Sequence, residues 1–396
     1  MAAGERSEEP LLVFGPRSTD YDFGPGHPLT PRRFGPGIGL LRAIGAEPAL
    51  APEPATDDEL ATIHTRDYIA AVRAFGADPG RSPAYGIAPF GDVPAFPGMH
   101  EAAAAVAGGS LRAVEAILRG DVLHAHHPGG GLHHAMPARA SGFCVYNDVA
   151  LAVAAARGSG LRVLYVDLDV HHGDGVEAIH ADDPGVMTVS IHESGRYLFP
   201  GSGEASGGRG AAAGTVVNVP LEPYTGETGW LGAVRELLPD LADAFRPDIV
   251  VSQHGADSHA WDPLAHLRVT TTAMGAAARL VHDLAHRHAG GRWLATGGGG
   301  YDVYRVVPRA WAHVWSAAAH RALPVETPAD WRERWTADAD AWDGGPPPMT
   351  FDDEPNAGLS AGPGQLAADA AAQRIVAGVR AVVLPDAAAR PGPQPG

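Results

Sequence analysis

The sequence predicts an α/β protein built on a mostly parallel sheet between two layers of helices. Two observations carry this. Short, β-rich apolar runs alternate with alanine-rich helical stretches through the body of the chain, the order that builds a parallel sheet covered on both faces. Each run also ends in a cluster of glycine and polar residues, where ligands bind in open α/β sheets. No repeat of fixed period interrupts the pattern.

In chain order, residues 1–10 read as a disordered tail and 11–340 as one catalytic domain without a convincing linker. A helical stretch over 101–120 leads into the run GDVLHAH (120–126). A second helix over 147–160 precedes LRVLYVDLDV (161–170), followed by GVMTVSIH (185–192). PDIVVSQHG (247–255), a helix over 271–290 and RWLATGGGG (292–300) complete the body. Residues 341–396 read as a polar loop over 344–358, a helix over 364–383 that docks back on the domain, and a flexible tail from about Pro385.

With 396 residues the chain can bury a core without disulfides, and its single cysteine, Cys144, leaves no internal disulfide to form. Cys144 reads as a small buried apolar residue. The formal charge is −17, with all 29 basic residues arginine and no basic run. A nucleic-acid partner is therefore not expected. The acidic start MAAGERSEEP lacks a signal-peptide core, and no uncharged run reaches membrane-spanning length. The expectation is a cytoplasmic protein.

The ends of the runs hold nearly all the unusual polar residues: GGGLHHA, DLDVHHGDG, HGADSHAWDP and GGGGY. Unpaired carboxylates are expensive to bury, so this concentration of charge implies a ligand. In an extended strand Asp167, Asp169 and His171 point to one side. Asp169 and His171 offer an oxygen and a nitrogen to a metal, and Asp257 from another junction is the best third ligand. Three protein ligands leave a position open, the pattern of a catalytic zinc site, although such a set also takes Fe²⁺. The adjacent His133 and His134 suit proton transfer better than chelation. Each needs a carboxylate to fix its tautomer, and Asp167 and Asp174 match them in number. Tyr301, after four glycines, can donate a hydrogen bond to a developing oxyanion. Together these groups suggest metal-assisted hydrolysis of a carbonyl compound.

The ordered set GGGLHHA, GFCVYND, VDLDVHHGDG, VSIH, FPGSG, GADS, DPL and GGGGY resembles the zinc-dependent histone deacetylase superfamily, from about Tyr21 to about Trp315. The resemblance implies the three-layer arginase–deacetylase fold, with a mainly parallel eight-stranded sheet. It implies zinc on Asp169, His171 and Asp257, His134 as general base and then acid, and His133 as its electrostatic partner. Asp167 would pair with His133 and Asp174 with His134, while Tyr301 would polarise the acetyl carbonyl. Phe143 and Phe199 would wall a narrow channel with Leu264 at its rim. Asp92 would hold the substrate backbone, Arg33 would line an internal acetate pocket, and Asp167 and Ser190 would bind a structural potassium ion.

Composition alone reads several of these differently. Phe143 and Phe199 are by default core residues. Arg33 beside Arg32 fits a surface salt bridge equally well, and Asp92 a turn. His124, His126 and His127 read as structural, and His259 as a rim residue or a supporting one.

The stretch ADSHAWDPLAHL is closer to the acetoin-utilisation (AcuC-type) branch of the superfamily. The resemblance therefore implies hydrolysis of Nε-acetyl-lysine in a protein such as an acyl-adenylating enzyme, in acetate or acetoin metabolism. An acetylpolyamine amidohydrolase and a non-catalytic binding protein are the alternatives.

Overall fold

Eight strands form one sheet: β1 (Leu11–Val13), β2 (Pro48–Leu50), β3 (His124–His127), β4 (Val163–Asp167), β5 (Val186–Glu193), β6 (Val216–Leu221), β7 (Ile249–Gln253) and β8 (Trp293–Thr296). Their order is β2-β1-β3-β8-β7-β4-β5-β6, and every neighbouring pair is parallel. The computed structural model describes residues 9–342, 344–353 and 362–388. Of the expected tails and loop, residues 1–8, 354–358 and 389–396 lie outside the described residues.

Alternation along the strands divides the core in two. Leu164, Val166, Val250, Trp293 and Ala295 face one side, which is closed by α1 (Phe34–Ala43), α7 (Glu227–Phe245), α8 (Thr271–Ala289), α9 (Val307–Ala318) and α10 (Ala329–Ala341). Val163, Tyr165, Ile249, Val251 and Leu294 face the other, closed by α2 (Asp57–Leu60), α3 (Arg66–Ala77), α4 (Met99–Arg119) and α5 (Asp148–Gly158). Neighbouring residues thus serve opposite cores, as the period of two requires. The histone-deacetylase-type expectation of an eight-stranded sheet between helices is met, with the sheet parallel throughout.

Some boundaries differ from the sequence reading for physical reasons. The first run becomes strand only at His124, because Gly120 ends α4 in the left-handed conformation at φ 81°. Strands β1, β2 and β6 were not legible: the first two have three residues each, and β6 carries Pro220. A proline interrupts a strand pattern, but β6 is a sheet edge, where a missing N–H is tolerated.

The helix α11 (Pro363–Ala388) packs along α7 and β6. Its Asp369 accepts hydrogen bonds from Gly226 N (2.7 Å) and Gly229 N (3.1 Å). The first turn of α7, which has no capping side chain of its own, is so capped from a distant segment. The segment before it is anchored by buried Asp353. That carboxylate accepts from Thr271 N (2.7 Å) at the start of α8, lies 2.9 Å from His259 Nε2, and faces Arg309 at 2.9 Å. His259 is thus a buried structural residue.

Removing one partner of a buried ion pair leaves the other charge uncompensated. Asp353→Ala is accordingly expected to destabilise the protein by about 3–5 kcal/mol, read by denaturant unfolding. Burial opposes ionisation of Asp353, but His259 and Arg309 hold its carboxyl well below the usual range. Its stabilisation is therefore complete above the ordinary carboxylate value and lost as pH falls. Wild type and variant should converge in stability at acid pH.

Candidate active site

The four polar junctions follow β3, β4, β7 and β8, which are contiguous in the sheet as β3-β8-β7-β4. Their loops therefore meet over one edge. Asp169, His171 and Asp257 come together there, with ligand atoms all within 4.8 Å of one another. His171 Nδ1 lies 3.0 Å from Asp169 Oδ1 and 3.2 Å from Asp257 Oδ2.

The strand period is not what aligns these residues, because β4 stops at Asp167. Beyond it the chain is held by side chains bonding two residues ahead. Asp167 Oδ1 accepts from Asp169 N (3.2 Å), and Asp169 Oδ1 from His171 N (3.0 Å). Further bonds fix the two carboxylates. Asp169 Oδ2 accepts from Gln253 Nε2 (2.6 Å) and Gly299 N (2.8 Å), and Asp257 Oδ1 from Val170 N (3.0 Å). A Cβ at Gly299 would collide with Asp257 Oδ2. The glycine run thus lets the backbone close over the two carboxylates.

Two fully buried carboxylates converge on one imidazole nitrogen, and Asp257 Oδ2 has no hydrogen bond. Burial and the Asp169 charge push the Asp257 carboxyl up. Burial would depress His171, but the neighbouring carboxylates of Asp169 and Asp257 raise it to about 10. The cluster thus demands positive charge at its centre. An oxygen–nitrogen–oxygen donor set with one orphaned oxygen fits a divalent ion.

Beside it, His133 Nδ1 meets Asp167 Oδ2 at 2.7 Å and His134 Nδ1 meets Asp174 Oδ1 at 2.7 Å. The two Nε2 atoms are 3.0 Å apart. Asp174 is the first residue of a short helix, α6 (Asp174–His180). Their environments drive the rings apart. Burial lowers both, but the charges of Asp167 and Asp169 overcome it at His133 and raise it to about 9. At His134 burial is joined by the His133 charge, and the value falls to about 4. One ring is cationic near neutral pH and its neighbour is a free base.

The crevice above the cluster is lined by His133, His134, Phe143, Cys144, His171 and Tyr301, among others, with ≈ 20 Å³ of free space. That holds about one water molecule. Phe143 sits at φ 65°, a conformation that bulky residues avoid. It is held there by Tyr21 Oη, which donates to Phe143 O (2.8 Å), and by Asp92 Oδ2, which accepts from Gly142 N (2.6 Å). The Phe143 ring meets Tyr301 edge-on at 6.0 Å, and the half-exposed Phe199 ring meets His134 edge-on at 5.0 Å. Neither phenylalanine is a fully buried core residue.

Arg33 is buried, so the surface reading of it is replaced: Nη1 donates to Gly298 O at 2.7 Å. Ser190 is the register partner of Asp167 across β4 and β5, with Oγ 2.9 Å from His192 Nδ1. Leu264 is not among the residues lining the crevice. Its N–H donates to Asp262 Oδ1 (3.0 Å), while Asp262 Oδ2 takes the Tyr301 N–H (2.9 Å). Cys144 is buried, and burial pushes its thiol up.

Several supporting residues had no role in the sequence reading. Asp148 accepts from Gly131 N (3.0 Å) and Leu132 N (2.7 Å), and Asn147 Nδ2 donates to His133 O (3.0 Å). Together they hold the loop that carries both histidines. Asn147 also caps α5 through Ala150 N, so an Asn–Asp pair before an alanine-rich helix was the available signal. Leu29 at the crevice wall, Gln253 and Asp262 carried no local signal.

Asp257→Ala is expected to lose one equivalent of zinc, measured by metal analysis of the reconstituted protein. A variant that keeps the wild-type metal content would remove Asp257 from the ligand set.

Residues 27–318 match the model of the histone deacetylase domain. The chain is 43% identical over 335 residues to the acetoin utilization protein AcuC of Bacillus subtilis (strain 168), covering 82% of this chain and 86% of that protein. It is 38% identical over 344 residues to the protein of that name from Staphylococcus aureus (strain MSSA476), covering 84% and 87%. Against the Staphylococcus xylosus protein of that name it is 37% identical over 333 residues, covering 82% and 86%. These matches support a deacetylase hydrolase, and the chain belongs to the histone deacetylase family.

Proposed function

We propose that the protein hydrolyses Nε-acetyl-lysine in proteins to lysine and acetate, with residues 11–340 as the catalytic unit. One observation carries the reading: a neutral imidazole, His134, lies 3.0 Å from a cationic one, His133, beside a carboxylate–imidazole metal cluster. A divalent ion on Asp169, His171 and Asp257, zinc by preference and Fe²⁺ by donor type, supplies Lewis-acid activation of the amide carbonyl and of water.

The chain's own groups do the rest. His134, its Nδ1 held by Asp174, accepts the proton of the attacking water at Nε2 and returns it to the leaving amine. His133, kept charged by Asp167, stabilises negative charge growing on the reacting carbon centre's oxygens. Tyr301 Oη donates a hydrogen bond to the former carbonyl oxygen. Phe143 and Phe199 admit the linear methylene chain of a lysine and exclude bulkier groups. Asp92, exposed at the rim, accepts from a substrate backbone N–H, with Leu264 outside the channel mouth. Arg33 receives the product acetate, and Asp167 with Ser190 holds a potassium ion that stiffens the strand ends beneath His133.

The relatives named for acetoin utilisation support a role in acetate or acetoin metabolism. An acetylated acyl-adenylating enzyme in the cytoplasm is the proposed target. Among the described residues no helix is long and apolar enough to cross a membrane.

Steady-state kinetics on an acetyl-lysine peptide and on N-acetylputrescine test the substrate. The peptide is expected to win in kcat/KM by at least about tenfold, ~1.4 kcal/mol of transition-state binding. A polyamine advantage would keep the chemistry and overturn the protein substrate. Turnover of neither by metal-loaded protein would favour a binding role.

The proton assignments have their own test. His134→Ala should lower kcat more than His133→Ala, and the reverse order would exchange their roles. Because His134 becomes protonated only near about 4, the acid limb of kcat/KM should lie there. A limb at the ordinary imidazole value of about 6.5 would remove the neutral-base assignment.

A further inference from the structure

At the opposite end of β3 from the crevice, four histidines from three segments meet. His124 is the first residue of β3. His282 and His286 lie four apart on α8 and so share a face. His320 follows α9 in the left-handed conformation, φ 53°, with its exposed ring 4.6–5.2 Å from the other three. The six ring–ring separations run from 4.5 to 5.2 Å. Four points nearly equidistant from one another are the corners of a tetrahedron.

We propose that His124, His282, His286 and His320 form a second metal site, closed and four-coordinate, for a borderline transition-metal ion such as zinc, nickel or copper. All four rings offer nitrogens within 4.8 Å of one another. A tetrahedral ion with bonds of about 2.0–2.1 Å needs nitrogens about 3.3 Å apart. The Nε2 atoms of His124 and His286 are already 3.1 Å apart. His286 and His320 are exposed and free to close the remaining distances, whereas His124 and His282 are fixed by burial.

A further observation points to a ligand. His282 is 8% exposed, and its buried Nε2 has no hydrogen-bond partner. A polar atom left so is destabilising unless something occupies it.

The donor set decides the class of ion. No carboxylate belongs to it, which disfavours magnesium and calcium and favours metals that prefer imidazole. Four protein ligands leave no position for substrate, so the site is structural. It would tie the start of β3 to α8 and to the end of α9, across one face of the sheet. Access is from a surface cavity of ≈ 700 Å³, whose wall includes His282 and His320.

Equilibrium dialysis of the full chain against zinc, read by metal analysis, tests this. The double variant His286→Gln/His320→Gln changes only exposed side chains. It is expected to bind one equivalent fewer than wild type and to keep wild-type deacetylase kcat/KM. Asp257→Ala loses the other equivalent, so the two losses are independent and the triple variant binds none. Wild type is also expected to gain a zinc-dependent rise in Tm that the double variant reduces. Equal zinc stoichiometry in the double variant and wild type would overturn the site, whatever the state of the catalytic cluster.

Discussion

Two carboxylates without solvent contact, Asp169 and Asp257, converge on one imidazole nitrogen at the edge of the sheet. Concentrating that much negative charge in so dry a place is unfavourable unless a cation or dense hydrogen bonding offsets it. Much of the surrounding architecture answers this need. Gln253 reaches across from β7, the Gly299 and Val170 N–H groups point inward, and no side chain is tolerated at Gly299. The family's metal chemistry and the local backbone have the same origin.

Beside that cluster, two chemically identical side chains are given opposite protonation states. His133 and His134 are adjacent in sequence, equally buried, and each bonded to an aspartate at 2.7 Å. They differ in what lies beyond. His133 also faces the Asp169 charge, while His134 faces the charge of His133. Once one ring is charged the other is held neutral, which is the division of labour an acid–base pair needs.

The ends of the sheet contrast in kind. At the carboxyl ends of the strands the donors are two oxygens and a nitrogen, incomplete as a coordination shell and open to a crevice. At the other end, around His124, there are four nitrogens and no place for a substrate. The first arrangement suits an ion that does chemistry and the second an ion that holds segments together. Asp353, far along the chain, plays a comparable tying role with charge alone, joining His259, the start of α8 and Arg309.

The sheet was legible because its central strands are apolar runs broken by glycine, and the site because strand ends collect charge that a core would reject. Asp169, His171, Asp257, His133 and His134 all stood out on those grounds. What did not stand out has no local pattern. β1 and β2 are too short, and Gln253 and Asp262 acquire their roles only from neighbours distant in sequence. The alignment of Asp169 with His171 was anticipated for the wrong reason, since bonds from side chain to backbone beyond β4 produce it. The sequence by itself determined the fold class and the residue types of the crevice, because both follow from periodicity and charge along a single segment. Only the tertiary structure decided that Arg33 is buried, that Leu264 lies off the crevice wall, and that four histidines from three segments meet. Those are facts of convergence in space, which linear spacing does not encode.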